Sequence, residues 1–497
     1  MNLKAILAKP FATYIYKIIC KERLTAVANQ QEIFTTILKK ATKTTFGQDH
    51  NFAKIKTYDD YKQAIPIRDY EQLKPYIDSI KAGKQHILWP GLPIYFAKTS
   101  GTTSGTKYIP ITKDSIKNHI TTARNALLCY IAQTGNNNFV AGKMIFLSGS
   151  PELERVGNVP YGRLSGIVNH HVPKYLRSNQ LPTYTTNCIE DWETKVDAIV
   201  KETINQDMTL ISGIPPWMQM YFDKLVAQSG KKIGELFPNF NLMVQGGVNF
   251  EPYSQKLYDT IGRKVDCIEL FPASEGFFAY QDTLTEKGML LNTNSGIYYE
   301  FVPAAEIQRE NPTRLNLSQV QLNQNYALII SSNAGLWAYN IGDTIKFVSL
   351  NPYRLVVTGR IKHFISAFGE HVIGEEVEQA MLYALAETSS TIIEFTVAPY
   401  IGTAGQNSYH QWFVSFDKAP SNMNTFAEIL NLRMQQLNTY YNDLITGNIL
   451  QPLKLIVLPH TAFIQYMKSI GKLGGQNKTP RLSNDRAIAS ELEKYIE

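Results

Sequence analysis

Residues 242–275 read Leu242-Met-Val-Gln-Gly-Gly-Val-Asn-Phe-Glu-Pro252, then Tyr253-Ser-Gln-Lys-Leu-Tyr-Asp-Thr-Ile-Gly262, then Arg263-Lys-Val-Asp-Cys-Ile-Glu-Leu-Phe-Pro-Ala-Ser-Glu275. The apolar run 242–245 has strand length and ends on paired glycines. Tyr253, Leu257, Tyr258 and Ile261 then recur at helical spacing, and Gly262 closes the face. A second apolar run, 265–271, follows. Strand, helix, strand is the unit of a parallel α/β sheet, and similar runs occur at Lys143-Met-Ile-Phe-Leu147 and Tyr326-Ala-Leu-Ile-Ile-Ser331. The expected fold class is therefore α/β, with mostly parallel sheets and helices in a large N-terminal domain. Upstream, Ile33, Phe34, Ile37, Leu38 and Ala41 predict a helix stopped at Phe46-Gly47.

The period changes after the strand-like Tyr353-Arg-Leu-Val-Val-Thr358. Gly359-Arg360-Ile361-Lys362 reads as a hinge, which divides the chain into 1–358, the joint 359–362, and 363–497. The last region reads strand (363–366), helix (373–385), strand (391–398), strand (409–416), helix (426–440), strand (453–458). That order predicts a small, mobile α+β domain of the split β-α-β-β-α-β kind. The stretch from Tyr466 to Pro480 lacks periodicity and is expected to be a loop.

The composition sets wide bounds. With 497 residues the chain exceeds a single small module, and 44% apolar against 19% charged residues describes a folded protein. A net charge of +6 is too dilute for a nucleic-acid track. The four cysteines, Cys20, Cys129, Cys188 and Cys267, are far apart and form no disulfide framework, which fits a reducing compartment. The stretch Ala5 to Cys20 is interrupted by Lys9, Pro10 and Lys17 and makes a poor secretion signal. No run has the roughly 18 apolar residues that a membrane span needs. A cytoplasmic monomer with no nucleic-acid or membrane partner is expected.

Chemistry concentrates in six places. Thr99-Ser-Gly-Thr-Thr-Ser-Gly-Thr-Lys107 packs hydroxyls, two glycines and a lysine behind an apolar run. Its glycines would let several N–H groups converge on phosphate while Lys107 adds charge, although a solvated turn has the same composition. It is not a Walker A loop, and Gly471-Lys-Leu-Gly-Gly-Gln-Asn-Lys-Thr479 misses that pattern too. Gly246-Gly247 ends a strand, where ligands of α/β sheets bind. Phe271-Pro-Ala-Ser274-Glu275 offers a ring face, a hydroxyl and a carboxylate suited to Mg2+. Asp343, in Trp337-Ala-Tyr-Asn-Ile-Gly-Asp343, could accept two ribose hydroxyls, or belong to an ordinary Gly-Asp turn. The cations Arg360 and Lys478 could neutralise charge that forms during reaction, or be plain surface charges. The histidines form no zinc pattern, and no Gly-x-Ser-x-Gly elbow is present.

Taken in order, these motifs resemble the adenylate-forming superfamily, and within it the auxin-responsive Gretchen Hagen family of acyl acid amido synthetases. The opening Thr45-Phe-Gly-Gln-Asp-His50 and closing Lys478-Thr-Pro-Arg481 look familial as well. The resemblance implies an ATP- and Mg2+-dependent ligase that adenylates a small carboxylic acid and passes the acyl group to the amine of an amino acid. It implies that Thr99, Ser100, Gly101, Thr102, Thr103 and Lys107 form the phosphate loop. It further implies that Gly246 and Gly247 lie beside adenine, Phe271 stacks on it with Ser274 nearby, Glu275 holds Mg2+, and Asp343 binds ribose. Lys478 would be the catalytic cation, with Lys472 as a competitor and Arg360 at the hinge. The chain departs from plant-type members at Phe368-Gly-Glu-His371, where they carry Asp-Lys. An acyl-CoA synthetase and a non-catalytic nucleotide-binding protein are the alternatives. The acid would be held by the helical stretch after residue 112 and the region 160–220. There Tyr161, His170, Tyr175 and Trp217 are equally candidates for pocket wall and for core, and Arg124 for an anion partner or a solvated charge.

Overall fold

The computed structural model describes residues 3–100, 106–172, 177–248, 250–361, 364–365, 367–368, 370, 372–401, 408–446, 449–474 and 477–496. The chain divides into two compact units. One comprises Met1–Ile214, Gly234–Gly247 and Val265–Val356, the other Pro215–Ile233, Val248–Lys264 and Val357–Glu497.

In chain order the first unit contributes β1 (Tyr95–Ser100), β2 (Thr106–Ile111), β3 (Lys143–Phe146), β4 (Glu154–Val156), β5 (Val159–Gly162), β6 (Gln180–Leu181) and β7 (Met208–Gly213). It continues with β8 (Leu242–Gly246), β9 (Asp266–Ala273), β10 (Gly276–Tyr280), β11 (Met289–Leu291), β12 (Ile297–Pro303), β13 (Asn325–Ser332), β14 (Tyr339–Leu350) and β15 (Tyr353–Arg360), whose residues from Val357 on belong to the second unit. Strands β2-β1-β5-β4 form a small sheet, and the other eleven run β12-β13-β14-β15-β11-β10-β9-β8-β7-β3-β6.

Strands β6, β3, β7, β8 and β9 pair in parallel, as the strand-helix-strand reading predicts. Beyond β9 the pairings turn antiparallel, with β10 on β9, β11 on β10 and β15 on β11. The cause is connection length. A parallel neighbour needs a crossover of about a dozen residues, whereas only Ser274 and Glu275 separate β9 from β10. The sheet core joins Leu210, Leu242, Val244, Ile268 and Leu290 to Ala126, Cys129 and Tyr130 of the helix Ile116–Thr134, and to Ala12 and Ile19 of the helix Leu3–Glu22.

The expected stop at Phe46-Gly47 falls elsewhere. The helix Ala26–Ala41 ends earlier, and Phe46 and Gly47 lie in a second short helix, Thr45–Asp49, whose start is capped by Thr44 accepting from the Gly47 N–H at 3.0 Å. The longer helix is stitched to the sheet by Gln30, whose amide donates to the Thr293 and Ile297 carbonyls at 3.0 and 2.9 Å and accepts from the Tyr299 N–H at 2.8 Å.

In the second unit β16 (Phe364–Ile365) and β17 (Val372–Ile373) form a short ribbon. A three-stranded sheet follows, β18 (Thr391–Tyr400), β19 (Tyr409–Lys418) and β20 (Lys454–Val457), with β18 antiparallel and β20 parallel to the central β19. The expected β-α-β-β-α-β order is present in sequence, but its first strand pairs with β17 and not with the sheet. Helices Gly374–Thr388 and Met423–Leu437 cover one face through Val377, Met381, Phe426 and Leu430 against Trp412 and Val414. Phe413 points the other way, onto Phe463, Ala489 and Leu492, so this sheet is buried on both faces. The helix Ala462–Ser469 runs into the stretch that lacks a sequence period. Among the described residues no helix is long and apolar enough to cross a membrane, and all four cysteines are free thiols.

One buried group makes the first unit pH-sensitive. His119, on Ile116–Thr134, is 4% exposed, and burial lowers its pKa to about 4 from 6.5. Its Nδ1 has no hydrogen-bond partner among the described residues. The folded imidazole resists protonation that the unfolded one accepts, so its contribution is complete above pH 6.5 and is lost as pH falls toward 4. The loss is about 3 kcal/mol across that window. Thermal melts should show the wild type losing stability more steeply there than His119→Leu. Parallel slopes would contradict this reading.

Candidate functional site

In the first unit segments adjoining three of the motifs are tied to the start of the helix Ile116–Thr134. The hairpin β1–β2 sets Thr99 opposite Lys107 and Ser100 opposite Thr106. Between those pairs, Gly101, Thr102 and Thr103 lie outside the described residues, as do Ser104 and Gly105. The Lys107 ammonium stands 5.6 Å from the Tyr70 ring centroid, and the Tyr70 hydroxyl accepts from the neighbouring Tyr108 N–H at 2.9 Å. Strand β2 then runs into Thr112, whose hydroxyl donates to the Asn333 carbonyl at 2.7 Å and accepts from the Ser115 N–H at 3.0 Å. Asn333 follows β13 and leads toward Asp343.

One turn later, the Asn118 side chain brackets Phe277. Its amide donates to the Phe277 carbonyl at 3.0 Å, and its carbonyl accepts from the Phe277 N–H at 2.7 Å. Phe277 sits two residues after Glu275. Thr112 and Asn118 thus tie the hairpin, the Phe271–Glu275 turn and the β13–β14 connection to one helix start. Neither was singled out in the sequence, since both act through backbone groups more than 150 residues away.

Residues Ser274 and Glu275 form the two-residue turn between Ala273 and Gly276, which pair with each other. Phe271 is 7% exposed and packs edge-on against Phe278, with centroids 5.1 Å apart, so little of its ring is open. Gly246 lies opposite Leu270, and a Cβ there would stand 2.4 Å from the Leu270 carbonyl oxygen. Only glycine lets these backbones approach so closely. Just before it, Gln245 is 3% exposed and its side-chain carbonyl has no partner among the described residues.

Asp343 lies in a strand bulge, not in a turn. On β14 Asn340 pairs with Ile329 and Thr344 with Ala327, so Ile341, Gly342 and Asp343 oppose the single residue Leu328. Bulges of this kind re-aim a side chain out of the pleat. Among the described residues no three His, Cys, Asp or Glu side chains are grouped to hold a metal ion. A lone carboxylate beside a hydroxyl still suits Mg2+, which keeps waters and takes phosphate oxygens in place of a protein cage.

In the second unit Arg360 ends β15 and is exposed. Gly359 before it has φ 148°, a conformation that any side chain would strain. Lys472 and Lys478 are both exposed. Three residues beyond Lys478, Arg481 is held from several sides. It bonds the Glu378 carboxylate at 3.1 Å, the Phe395 carbonyl at 3.1 Å, and both Glu394 and the Tyr253 hydroxyl. Burial works against its charge, but Glu394, Tyr253 and Glu378 outweigh it and hold the pKa well above the usual value. The flanking backbone is pinned to β18, with Thr396 donating to the Pro480 carbonyl at 2.7 Å and the Val397 N–H to the Arg481 carbonyl at 2.9 Å.

At the departure from the plant pattern, Glu370 is fully buried and accepts from His410 Nε2 at 2.8 Å and from the Phe368 N–H at 2.9 Å. Burial alone would raise its pKa, yet the hydrogen bond and charge of His410 turn the net shift downward. This carboxylate anchors its segment inside the unit.

Of the residues left open for the acid, Trp217 is buried and Arg124 is exposed, bonded to Asn125 at 2.9 Å. Tyr161 packs on Tyr108, His170 bonds the Pro151 carbonyl at 2.7 Å, and Tyr175 lies outside the described residues.

Replacing Asn118→Leu would leave the Phe277 N–H and carbonyl unpaired, at a cost of about 2 to 3 kcal/mol. Denaturant melts should show that loss, and a variant as stable as the wild type would contradict it.

Similarity to known proteins follows the same segments. Residues 17–188 match the GH3 family N-terminal domain, 290–360 the central domain and 375–487 the C-terminal domain. The chain is 22% identical over 355 residues to the jasmonoyl-L-amino acid synthetase JAR4 of Nicotiana attenuata, covering 58% of this chain and 60% of that protein. It is 26% identical over 211 residues to the indole-3-acetic acid-amido synthetase GH3.3 of Arabidopsis thaliana, covering 40% of this chain and 35% of that protein. The matched lengths are therefore under two thirds of both relatives.

Among solved structures, GH3.15 acyl acid amido synthetase superposes with a TM-score of 0.78 at 14% identity, covering 96% of this chain and 95% of that one. A 2-hydroxyisobutyryl-CoA ligase in the postadenylation state gives 0.57 at 12% identity, covering 96% and 92%. The fold is that of the adenylate-forming enzymes, and with its N-terminal, central and C-terminal family domains all present in order, the chain belongs to the GH3 family.

Proposed function

We propose that the chain is an ATP-dependent ligase that adenylates a small carboxylic acid and joins the acyl group to the amine of an amino acid. The observation that supports this reading is that one helix start, through Thr112 and Asn118, holds the end of the hairpin that carries Thr99 and Lys107, Phe277 just after the Ser274-Glu275 turn, and Asn333 in the connection that leads to Asp343.

In the first half-reaction a carboxylate oxygen attacks the α-phosphorus of ATP, the bond to the bridging oxygen breaks, and pyrophosphate leaves. Ser100, Thr102, Thr103 and Lys107 contact the phosphates, with Thr99 and Gly101 shaping the loop. Gly246 and Gly247 leave room for adenine, Phe271 offers it a ring edge beside Ser274, and Asp343 accepts the ribose hydroxyls. Glu275 would hold Mg2+, which supplies charge neutralisation on the phosphate oxygens. In the second half-reaction the amine attacks the acyl carbon, AMP leaves with the shared oxygen, and the amine proton passes to solvent. An acyl-adenylate is the better acyl donor because esterification to phosphate removes the negative charge that repels a nucleophile.

The two halves need different groups at one place, so the region 363–497 turns about 359–362 between them. Gly359 suits such a joint. Lys478 neutralises the charge that develops on the α-phosphate, and Arg360 travels with the hinge.

The nearest alternative passes the acyl group to coenzyme A, and the fold likeness to the 2-hydroxyisobutyryl-CoA ligase keeps it in play. Purified enzyme given ATP, aromatic, indole and fatty acids, and either amino acids or coenzyme A decides between them by mass spectrometry. Acyl-amino acid product supports the reading, and thioester alone overturns it.

A further inference from the structure

The helix Leu3–Glu22 has two apolar faces, and only one is used by the fold. Ala12 and Ile19 are buried against the core that includes Ile116–Thr134, with Ala8 and Ile15 packed beside them. On another face Leu7, Phe11, Tyr14 and Ile18 recur at steps of four, three and four residues. Those steps align side chains along one ridge of a helix. They are 59%, 46%, 63% and 37% exposed. Leaving four large apolar side chains half in water on one ridge costs hydration free energy that the fold does not recover.

Charge identifies what covers the ridge. The helix carries Lys4, Lys9, Lys17 and Lys21, and its single carboxylate, Glu22 at the last position, accepts from the Asn294 amide at 3.1 Å. Lys17 and Lys21 are exposed and stand one helical turn from Tyr14 and Ile18, beside the ridge, whereas Lys9 lies on the opposite side of the helix. A second copy would bring two lysine-bearing ridges together, with no carboxylate within residues 1–21 to offset them. An apolar ridge with an aromatic pair and flanking lysines matches an anionic lipid surface, where rings sit at headgroup level and ammonium groups meet phosphates.

We propose that this helix docks the enzyme on an anionic membrane surface, with Leu7, Phe11, Tyr14 and Ile18 seated among the headgroups and acyl chains and the lysines on lipid phosphates. This departs from the expectation of no membrane partner, which rested on the absence of a spanning run. A peripheral helix needs no such run. The proposal stands independently of the ligase reading. With that reading, docking would place the enzyme where apolar carboxylic acids partition.

The test is co-sedimentation of the full chain with vesicles of phosphatidylcholine and phosphatidylglycerol in equal parts, beside vesicles of phosphatidylcholine alone. Binding is expected to the anionic vesicles only and to weaken with salt. Substituting Leu7→Ser with Phe11→Ser, or Lys17→Gln with Lys21→Gln, should each weaken it by more than about tenfold. All these positions are exposed, and circular dichroism checks that each variant stays folded. No sedimentation with anionic vesicles overturns the proposal. So does binding that both sets of substitutions leave intact, and so does a concentration-dependent dimer in light scattering that Leu7→Ser with Phe11→Ser abolishes.

Discussion

Lys478→Ala is expected to lower acid-dependent ATP–pyrophosphate exchange by about 10²- to 10³-fold, the effect of deleting one preorganised charge partner of a transition state. ATP binding should change little, because the lysine acts on charge that appears only as the new oxygen–phosphorus bond forms. The expectation rests on support as well as position. Thr479 is buried, the Pro480 and Arg481 carbonyls are bonded to β18, and Arg481 is clamped by two carboxylates, so the chain just beyond Lys478 is rigid. Lys472 follows a helix end, where its N–H donates to the Met467 carbonyl at 2.8 Å, and lies six residues before Lys478, outside that clamp on β18. Lys472→Ala should therefore retain most exchange. Near-normal exchange in Lys478→Ala together with its loss in Lys472→Ala would reverse the assignment. A loss of ATP affinity matching the loss of rate would show uniform binding instead.

Arg481→Met should destabilise the protein by about 3 to 5 kcal/mol, because removing one partner of a buried ion pair leaves the other charge without compensation. Two carboxylates, Glu378 and Glu394, would lose that partner at once, and the Tyr253 hydroxyl would lose its cation. Arg481→Lys should recover only part of the loss, since an ammonium cannot span both carboxylates and the Phe395 carbonyl as a planar fork does. Urea denaturation followed by circular dichroism measures both variants. A midpoint for Arg481→Met equal to that of the wild type would remove the clamp from the account.

What the sequence disclosed and what it hid divide along physical lines. The strands at 143, 242, 265, 326 and 353 and the helix beside Tyr253 were legible because each carries its own apolar period. The switch from parallel to antiparallel at β9 was also written there, in the two-residue spacing of Ser274 and Glu275. A stretch that reads as chemistry is easily passed over as a turn. The stop at Phe46-Gly47 was misplaced because Thr44 caps a new helix, and a cap depends on backbone angles that composition does not carry. The strand at 364 takes a local partner, β17, where a longer strand would have competed for the sheet edge.

Long-range polar contacts were invisible. Asn118 on Phe277, Thr112 on Asn333 and Glu370 on His410 join residues that no local pattern links. The bulge that carries Asp343 left one trace, a Gly-Asp pair inside an apolar run, and that trace reads equally as a turn.

The most direct test of the central claim is isotope exchange between pyrophosphate and ATP, measured on the purified chain with and without added carboxylic acids. The account predicts exchange that depends on both the acid and Mg2+ and that Lys478→Ala lowers by about 10²- to 10³-fold. Absence of exchange with every acid, in a folded protein that still binds ATP, would contradict it.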